Sequence, residues 1–361
     1  MTRVDYSVLG EFFDYDELDL EFHRVTNSID TIDREYGVEI IFKYYRKHGF
    51  PHYTITEQEK HQHMKKLRKF DHDSILDGDK IIQTMHCLRL AWTYFPHFWK
   101  IMCGNATMSP WDIFHNDDKF KSTIRKCWNW QLKHFKGEEG RIHNTFHENR
   151  LRQSLKVYTG TQSVSNFRPT AAKLIYETYG GDGVTWDMSC GWGGRLIGAL
   201  SSERIKKYIG TEPSCKTFDG LLKLKDDFSY LNKEVELHKL GSEVFVPDKD
   251  TLDLCFTSPP YFDTEKYSDE DTQSYIKFPT EDNWLNGFLR KTIENCYCGL
   301  KKNGYMLINI ANTPKYKFIE EGTISISKEI GFVQERTLQL TLSSIMGAGY
   351  KYEPIFVFRK K

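Results

Sequence analysis

Five consecutive residues, Thr257-Ser258-Pro259-Pro260-Tyr261, join a hydroxyl, two rigid rings and an aromatic face. Successive prolines hold φ near about −65° and remove two backbone donors. They also drive the preceding residue into an extended shape. A loop this stiff presents the Ser258 hydroxyl, the Pro259 carbonyl and the Tyr261 ring in fixed positions. Those groups suit a planar exocyclic amine, with acceptor oxygens for its N–H bonds. The ring stacks on the attached heterocycle, worth about 1–3 kcal/mol per base. Read more plainly, the same residues make a proline-rich turn at a strand end.

Further upstream, Asp187 to Gly194 reads DMSCGWGG, with an acid closing an apolar run. Gly191, Gly193 and Gly194 let the backbone turn sharply and approach a ligand closely. The spacing is not G-x-G-x-x-G and lacks the Lys-Ser/Thr of a phosphate loop, so on its own it reads equally as a tight strand-to-helix turn. Glu212 in YIGTEPS follows about 20 residues later, where doubly wound folds place an acid that binds ribose hydroxyls. Ser242 and Glu243, in LGSEVF, close a further strand and could line an adenine pocket or simply form a surface loop.

The elements that would position these residues are legible from residue 160 onward. Short apolar strands begin at VTWD, KKYIG, VELH, LDLCF and GYMLINI, separated by helical patterns such as RLIGALSS, TFDGLLKLKDDFSYL, 283–301 and 316–330. RTLQLTL and EPIFVFRK then form a terminal antiparallel pair. Strand–helix alternation at this spacing predicts an α/β doubly wound, mostly parallel sheet over 161–361, with ligands at the carboxyl ends of its strands. Residues 1–160 have a different texture, aromatic and rich in His and Lys. Helices are expected over 31–49, 54–70, 80–102 and 117–136, making a mainly helical N-terminal domain.

Composition narrows the class. Fifty Lys+Arg balance fifty Asp+Glu, and 28% of the 361 residues are charged against 39% hydrophobic. This describes a soluble globular chain and excludes a uniformly basic nucleic-acid coat, though not local basic patches. The first residues have no apolar core of the kind signal peptides need. Eight cysteines without a C-x-x-C pair read as reduced thiols of a cytoplasmic protein. His61, His63 and His72 lack the spacing and partners of a metal site, and none is expected.

Taken together, Ser258-Pro259-Pro260-Tyr261, the glycine loop and Glu212 resemble the S-adenosylmethionine-dependent DNA amino-methyltransferases. That family methylates cytosine N4 or adenine N6 and carries a (D/N/S)-P-P-(Y/F/W) motif. The resemblance covers about 165–361 and implies a Rossmann-like methyltransferase sheet. It implies catalytic roles for Ser258, Pro259, Pro260 and Tyr261. Asp187, Gly191, Gly193 and Glu212 would hold S-adenosylmethionine, with Ser242 and Glu243 nearby. NFRPTAAKLIYETY resembles the additional cofactor motif before the glycine loop, which places Phe167 and Pro169 near the cofactor. Two departures stand out: Met188 occupies a position where the family often has Pro, and no large target-recognition domain is expected after the last strand. Ser in the first motif position goes more often with cytosine N4 than with adenine N6. C5 methylation would need a Pro-Cys nucleophile, which this chain does not contain.

The implied reaction is a direct displacement on a base flipped from duplex DNA. Ser258 and the Pro259 carbonyl would accept from the amine while positioning supplies much of the rate. Asp263 and Glu265 read either as contacts to the base or its phosphate, or as solvated loop acids. The expected nucleic-acid contact is the basic, aromatic segment 119–156, with Lys126, Trp128, Arg150 and Arg152 as the named contacts, though charge runs are also common on plain helix faces. RNA bases, protein amides, or a binding module without turnover are the alternatives.

Overall fold

The computed structural model describes residues 16–82, 84–134, 145–345 and 349–361. The chain divides into two compact units, one of 1–52 with 102–163 and one of 53–101 with 164–361.

The described part of the first unit is helical. Its main helices are Glu17–Thr26, Arg34–His48, Asp117–His134 and Glu148–Lys156. Asp16 and Asp33 cap the first two by accepting from the Asp19 and Tyr36 amides. The helices expected over 31–49 and 117–136 correspond to two of these. Gly37 lets helix 34–48 meet helix 117–134 closely, since a Cβ there would lie 2.4 Å from the Trp128 indole.

The second unit is built on a nine-stranded sheet. Its strands are β1 (Leu76–Asp77), β2 (Lys80–Ile81), β3 (Val184–Asp187), β4 (Lys207–Thr211), β5 (Glu234–His238), β6 (Leu252–Thr257), β7 (Leu300–Asn309), β8 (Phe332–Ile345) and β9 (Gly349–Lys360). The order is β1-β2-β8-β9-β7-β6-β3-β4-β5. Strands β3 to β7 pair in parallel, while β9 runs antiparallel to both β7 and β8. From β3 the chain winds out through β4 and β5, then returns to β6 on the other side. The sheet is therefore a doubly wound, Rossmann-like α/β sheet with a terminal antiparallel hairpin, and its topological switch point lies between β3 and β6.

Residues 53–101, expected with the N-terminal helical region, belong to this second unit. Helix Glu57–Arg68 opens with a Thr56–Glu59 capping box. Its carbonyl end is closed by the buried Lys173 ammonium, which donates to Leu67, Arg68 and Phe70 at 3.0, 2.7 and 3.0 Å. The helix expected over 80–102 is instead broken. Lys80 and Ile81 pair with Gln339 and Leu340 of β8. Cys87 turns left-handed at φ 60° before the short helix Leu88–Thr93. Pro96, which has no N–H to give, then starts a 3-10 turn to Lys100. That turn brings the Phe95 ring against Gly193 and Gly220, where added Cβ atoms would lie 3.0 Å from Leu224 and 2.6 Å from Phe95. The helix expected over 283–301 is a π-helical turn, Trp284–Leu289, running into an α-helix, Arg290–Gly299. Trp186, Cys255, Trp284, Cys296, Met306 and Phe358 are fully buried in the core beneath the sheet. No helix of the described residues is long and apolar enough to cross a membrane.

Candidate active site at the carboxyl edge of the sheet

Strands β3 and β6 lie side by side, with Trp186 opposite Cys255. This brings the glycine loop after β3 next to the proline loop after β6. A direct bond ties them: the Thr257 hydroxyl donates to Asp187 Oδ1 at 3.0 Å. Asp187 is fully buried. Its Oδ2 accepts from Arg195 Nε at 2.9 Å and from the Tyr208 hydroxyl at 2.7 Å, and its Oδ1 also accepts from the Ser189 amide at 3.3 Å. Arg195 donates again to the Ser189 carbonyl. Burial works against the charge on Arg195, but Asp187 outweighs it and the guanidinium is held above its usual range. Asp187 therefore acts as the knot of the loop, with every contact turned inward.

Gly191 and Gly193 both adopt left-handed φ, 53° and 68°, as the sharp turn requires. Helix Gly194–Ser201 follows. Asn166 secures the turn, its amide donating to the Trp192 carbonyl at 2.9 Å. Gly194 must be Gly, because a Cβ there would fall 2.0 Å from the Phe167 carbonyl. Phe167 is buried edge-on to Phe256 of β6, with ring centroids 5.2 Å apart. Pro169 starts helix Pro169–Tyr179, and its carbonyl packs on Gly198. Phe167 and Pro169 thus brace the loop from behind.

Glu212 closes β4 and is buried. Its two oxygens accept from the Gly191 and Ser214 amides, both at 3.0 Å. Burial pushes its carboxyl up to about 7, despite those two bonds. Each oxygen keeps a lone pair for an outside donor. After β5, Ser242 turns its hydroxyl to Thr292 at 2.7 Å, and Glu243 pairs with Lys277 at 2.6 Å. Both side chains therefore already have partners, Ser242 against helix Arg290–Gly299.

At the end of β6, Ser258 and Pro260 are half-buried and Pro259 is buried. The Tyr261 hydroxyl donates to the Asn309 carbonyl of β7 at 3.2 Å, and the Asn309 amide donates to Pro354 of β9 at 2.9 Å. Burial, and then the nearby Glu353 charge, raise the Tyr261 hydroxyl well above its usual range. Glu353 is itself pushed up by burial. Phe262 follows with φ 55°, an uncommon geometry for a bulky residue. It packs edge-on to Trp284 and Tyr316.

Beyond Phe262, residues 263–283 form a strap across the other loops. The Tyr267 ring lies edge-on to Trp192 at 5.7 Å. Glu270 accepts from the Cys215 amide at 3.0 Å, and the Thr272 hydroxyl donates to the Pro213 carbonyl at 3.3 Å. Lys277 reaches Glu243. The strap so touches the loops after β3, β4 and β5. Asp263 pairs with Lys315 at 3.1 Å, and Glu265 accepts from Tyr267. Arg195, Asn309 and Glu353 shape this edge without any motif that marks them, and Asn166 and Thr257 do so from within motifs that assign them no role.

The nucleic-acid contacts expected in the first unit need correction. Trp128 is 1% exposed, its indole packed on Gly37. Arg152 is 4% exposed, donating to the Pro51 and His52 carbonyls at 2.8 and 2.9 Å and pairing with Glu148. Both are interior groups of the helical unit. Lys126 and Arg150 stand differently: the Lys126 ammonium lies 4.4 Å over the Tyr158 ring and the Arg150 guanidinium 3.4 Å over Trp130. Lys136 and Arg141 of the same basic segment lie outside the described residues.

No family model matches the chain, and no curated protein matches it. Among solved structures, it is similar to a TehB-like SAM-dependent methyltransferase from Corynebacterium glutamicum, with 16% identity, TM-score 0.35, and 58% of this chain and 95% of that chain covered. It is similar to a methyltransferase from Pyrococcus furiosus at 15% identity and TM-score 0.38, over 59% of this chain and 99% of that one. The N-methyltransferase NodS from Bradyrhizobium japonicum shows 12% identity and TM-score 0.36, over 53% and 93%. The fold itself rests on the strand order and register of this chain: a doubly wound sheet with its glycine and proline loops joined at the switch point.

Proposed function

We propose that the chain is an S-adenosylmethionine-dependent amino-methyltransferase acting on the exocyclic amine of a flipped DNA base, cytosine N4 in preference to adenine N6. The observation that carries this reading is the Thr257–Asp187 bond, which fixes the Ser258-Pro259-Pro260-Tyr261 loop beside the glycine loop. A loop that accepts an amine's protons is thereby held next to a turn suited to a nucleoside cofactor. Glu212 fits a ribose diol, offering two carboxylate oxygens in a buried setting. Bound there, S-adenosylmethionine supplies an electrophilic methyl group. Ser258 Oγ and the Pro259 carbonyl orient the amine and favour a lone pair on nitrogen, while Tyr261 stacks on the ring. Of the named contacts, Lys126 and Arg150 remain to meet phosphates, with the Tyr158 and Trp130 rings beside them, in place of Trp128 and Arg152.

The test is transfer of labelled methyl to unmethylated duplex DNA, with nucleosides resolved by mass. N4-methylcytosine or N6-methyladenine, lost in Ser258→Ala, supports the reading. Cofactor binding without label in DNA removes it and brings forward RNA, a protein amide or a module without turnover.

Glu212 adds a pH signature. Its carboxyl, raised to about 7, must be ionised to accept two ribose hydroxyls. Binding lowers that pKa, so affinity for S-adenosylhomocysteine should rise with pH through neutrality and level off above. The ionised fraction grows about tenfold between pH 6 and 8, and the dissociation constant should fall by about that factor. In Glu212→Gln the calorimetric profile should be flat. A wild-type profile that is already flat would remove Glu212 from the ribose site.

A further inference from the structure

Gln273, on the strap, is 5% exposed, and among the described residues its side-chain nitrogen has no hydrogen-bond partner. A buried donor left without an acceptor is destabilising unless a ligand supplies one. Its neighbours fix where it sits. Thr272 bonds the Pro213 carbonyl, one residue after Glu212, and Lys277, four residues on, pairs with Glu243 after β5. Trp284 Nε1 donates to Ser274 at 3.1 Å and steadies the next residue. Strands β4 and β5 are direct neighbours, with Thr211 opposite His238. Gln273 is thus held between the anchored ends of the strap, over the edge where β4 and β5 end. A nucleoside with its ribose diol on Glu212 would direct its base toward this same edge.

We propose that the Gln273 carboxamide reads the adenine of the cofactor. This rests on the methyltransferase reading above. A carboxamide donates and accepts on one edge, and adenine offers the complement: a ring-nitrogen acceptor beside the N6 amino donor. On the N7 edge hypoxanthine presents two acceptors, N7 and O6, so neither orientation of the Gln273 carboxamide satisfies both. The cofactor's base is therefore recognised by the segment that follows the proline loop, while Ser242 and Glu243 are engaged by Thr292 and Lys277.

The test compares binding of S-adenosylhomocysteine with its inosine counterpart, by calorimetry on the full chain. A bidentate pair of this kind discriminates by about 1–3 kcal/mol, so the wild type should favour the adenine form by about 5- to 150-fold. In Gln273→Ala the preference should fall below about threefold, with the inosine form binding as before. Gln273→Met, which keeps the volume, should behave alike and separates loss of recognition from loss of strap packing. An unchanged preference in both variants overturns the proposal. Equal weakening of both ligands in both variants also overturns it, because the role is then packing alone. If the wild type binds neither ligand, the cofactor reading itself falls and the Gln273 assignment with it.

Discussion

Asp187→Leu should cost about 3–5 kcal/mol of stability, the range for removing one partner of a buried ion pair. The substitution strands the Arg195 guanidinium, which is 5% exposed and has Asp187 as its carboxylate partner. It also leaves the Thr257 hydroxyl without its acceptor and the Tyr208 hydroxyl with only the Cys190 sulfur, at 3.4 Å. Arg195→Met should be milder, since Asp187 would keep three donors. The double variant Asp187→Leu/Arg195→Met should be less destabilised than the sum of the two, because neither charge is then orphaned. Urea unfolding of the four proteins, followed by tryptophan fluorescence, measures this cycle. A single-variant loss under about 1 kcal/mol would mean that Asp187 is not the knot of the loop.

On the function proposed above, Tyr261→Ala should lower methyl transfer strongly while leaving the fold intact. It removes the proposed stacking face, worth about 1–3 kcal/mol, which is about 5- to 150-fold in rate. It also frees the loop from its bond to Asn309. Tyr261→Phe keeps the face and loses the hydroxyl's bonds to Asn309, Ser258 and Glu353, so about 2- to 10-fold is expected. Steady-state kinetics on a defined duplex separate the two. Equal losses in both variants would mean that the hydroxyl anchor, rather than the ring, carries the effect.

The fold of the sheet unit was legible because its information is local. Most of its parallel strands are short apolar runs, and the loops after β3 and β6 carry residues that constrain the backbone. Gly191 and Gly193 take left-handed φ, and Pro259-Pro260 stiffen the turn after β6. What stayed hidden is set by partners far along the chain. Asn166 holds Trp192, and Asn309 holds both Tyr261 and Pro354, pairings that no spacing rule announces. The break at 80–102 was hidden for the same reason. Lys80 and Ile81 join the sheet through β8, more than 250 residues away. Trp128 and Arg152 misled because a basic, aromatic helix pattern does not say which stripe faces inward. Arg152 can be interior since the Pro51 and His52 carbonyls receive its donors.

The strap has a thermodynamic consequence. It is continuous with the proline loop through Phe262, and its far end is anchored to the loops after β4 and β5. On the function proposed above, the amine site and the nucleoside site would share one mechanical element. A shift of the strap on nucleoside binding would reach Tyr261 through one left-handed residue, Phe262. The two ligands would then be heterotropic effectors of one another. The factor by which the nucleoside tightens the target base equals the factor by which the base tightens the nucleoside.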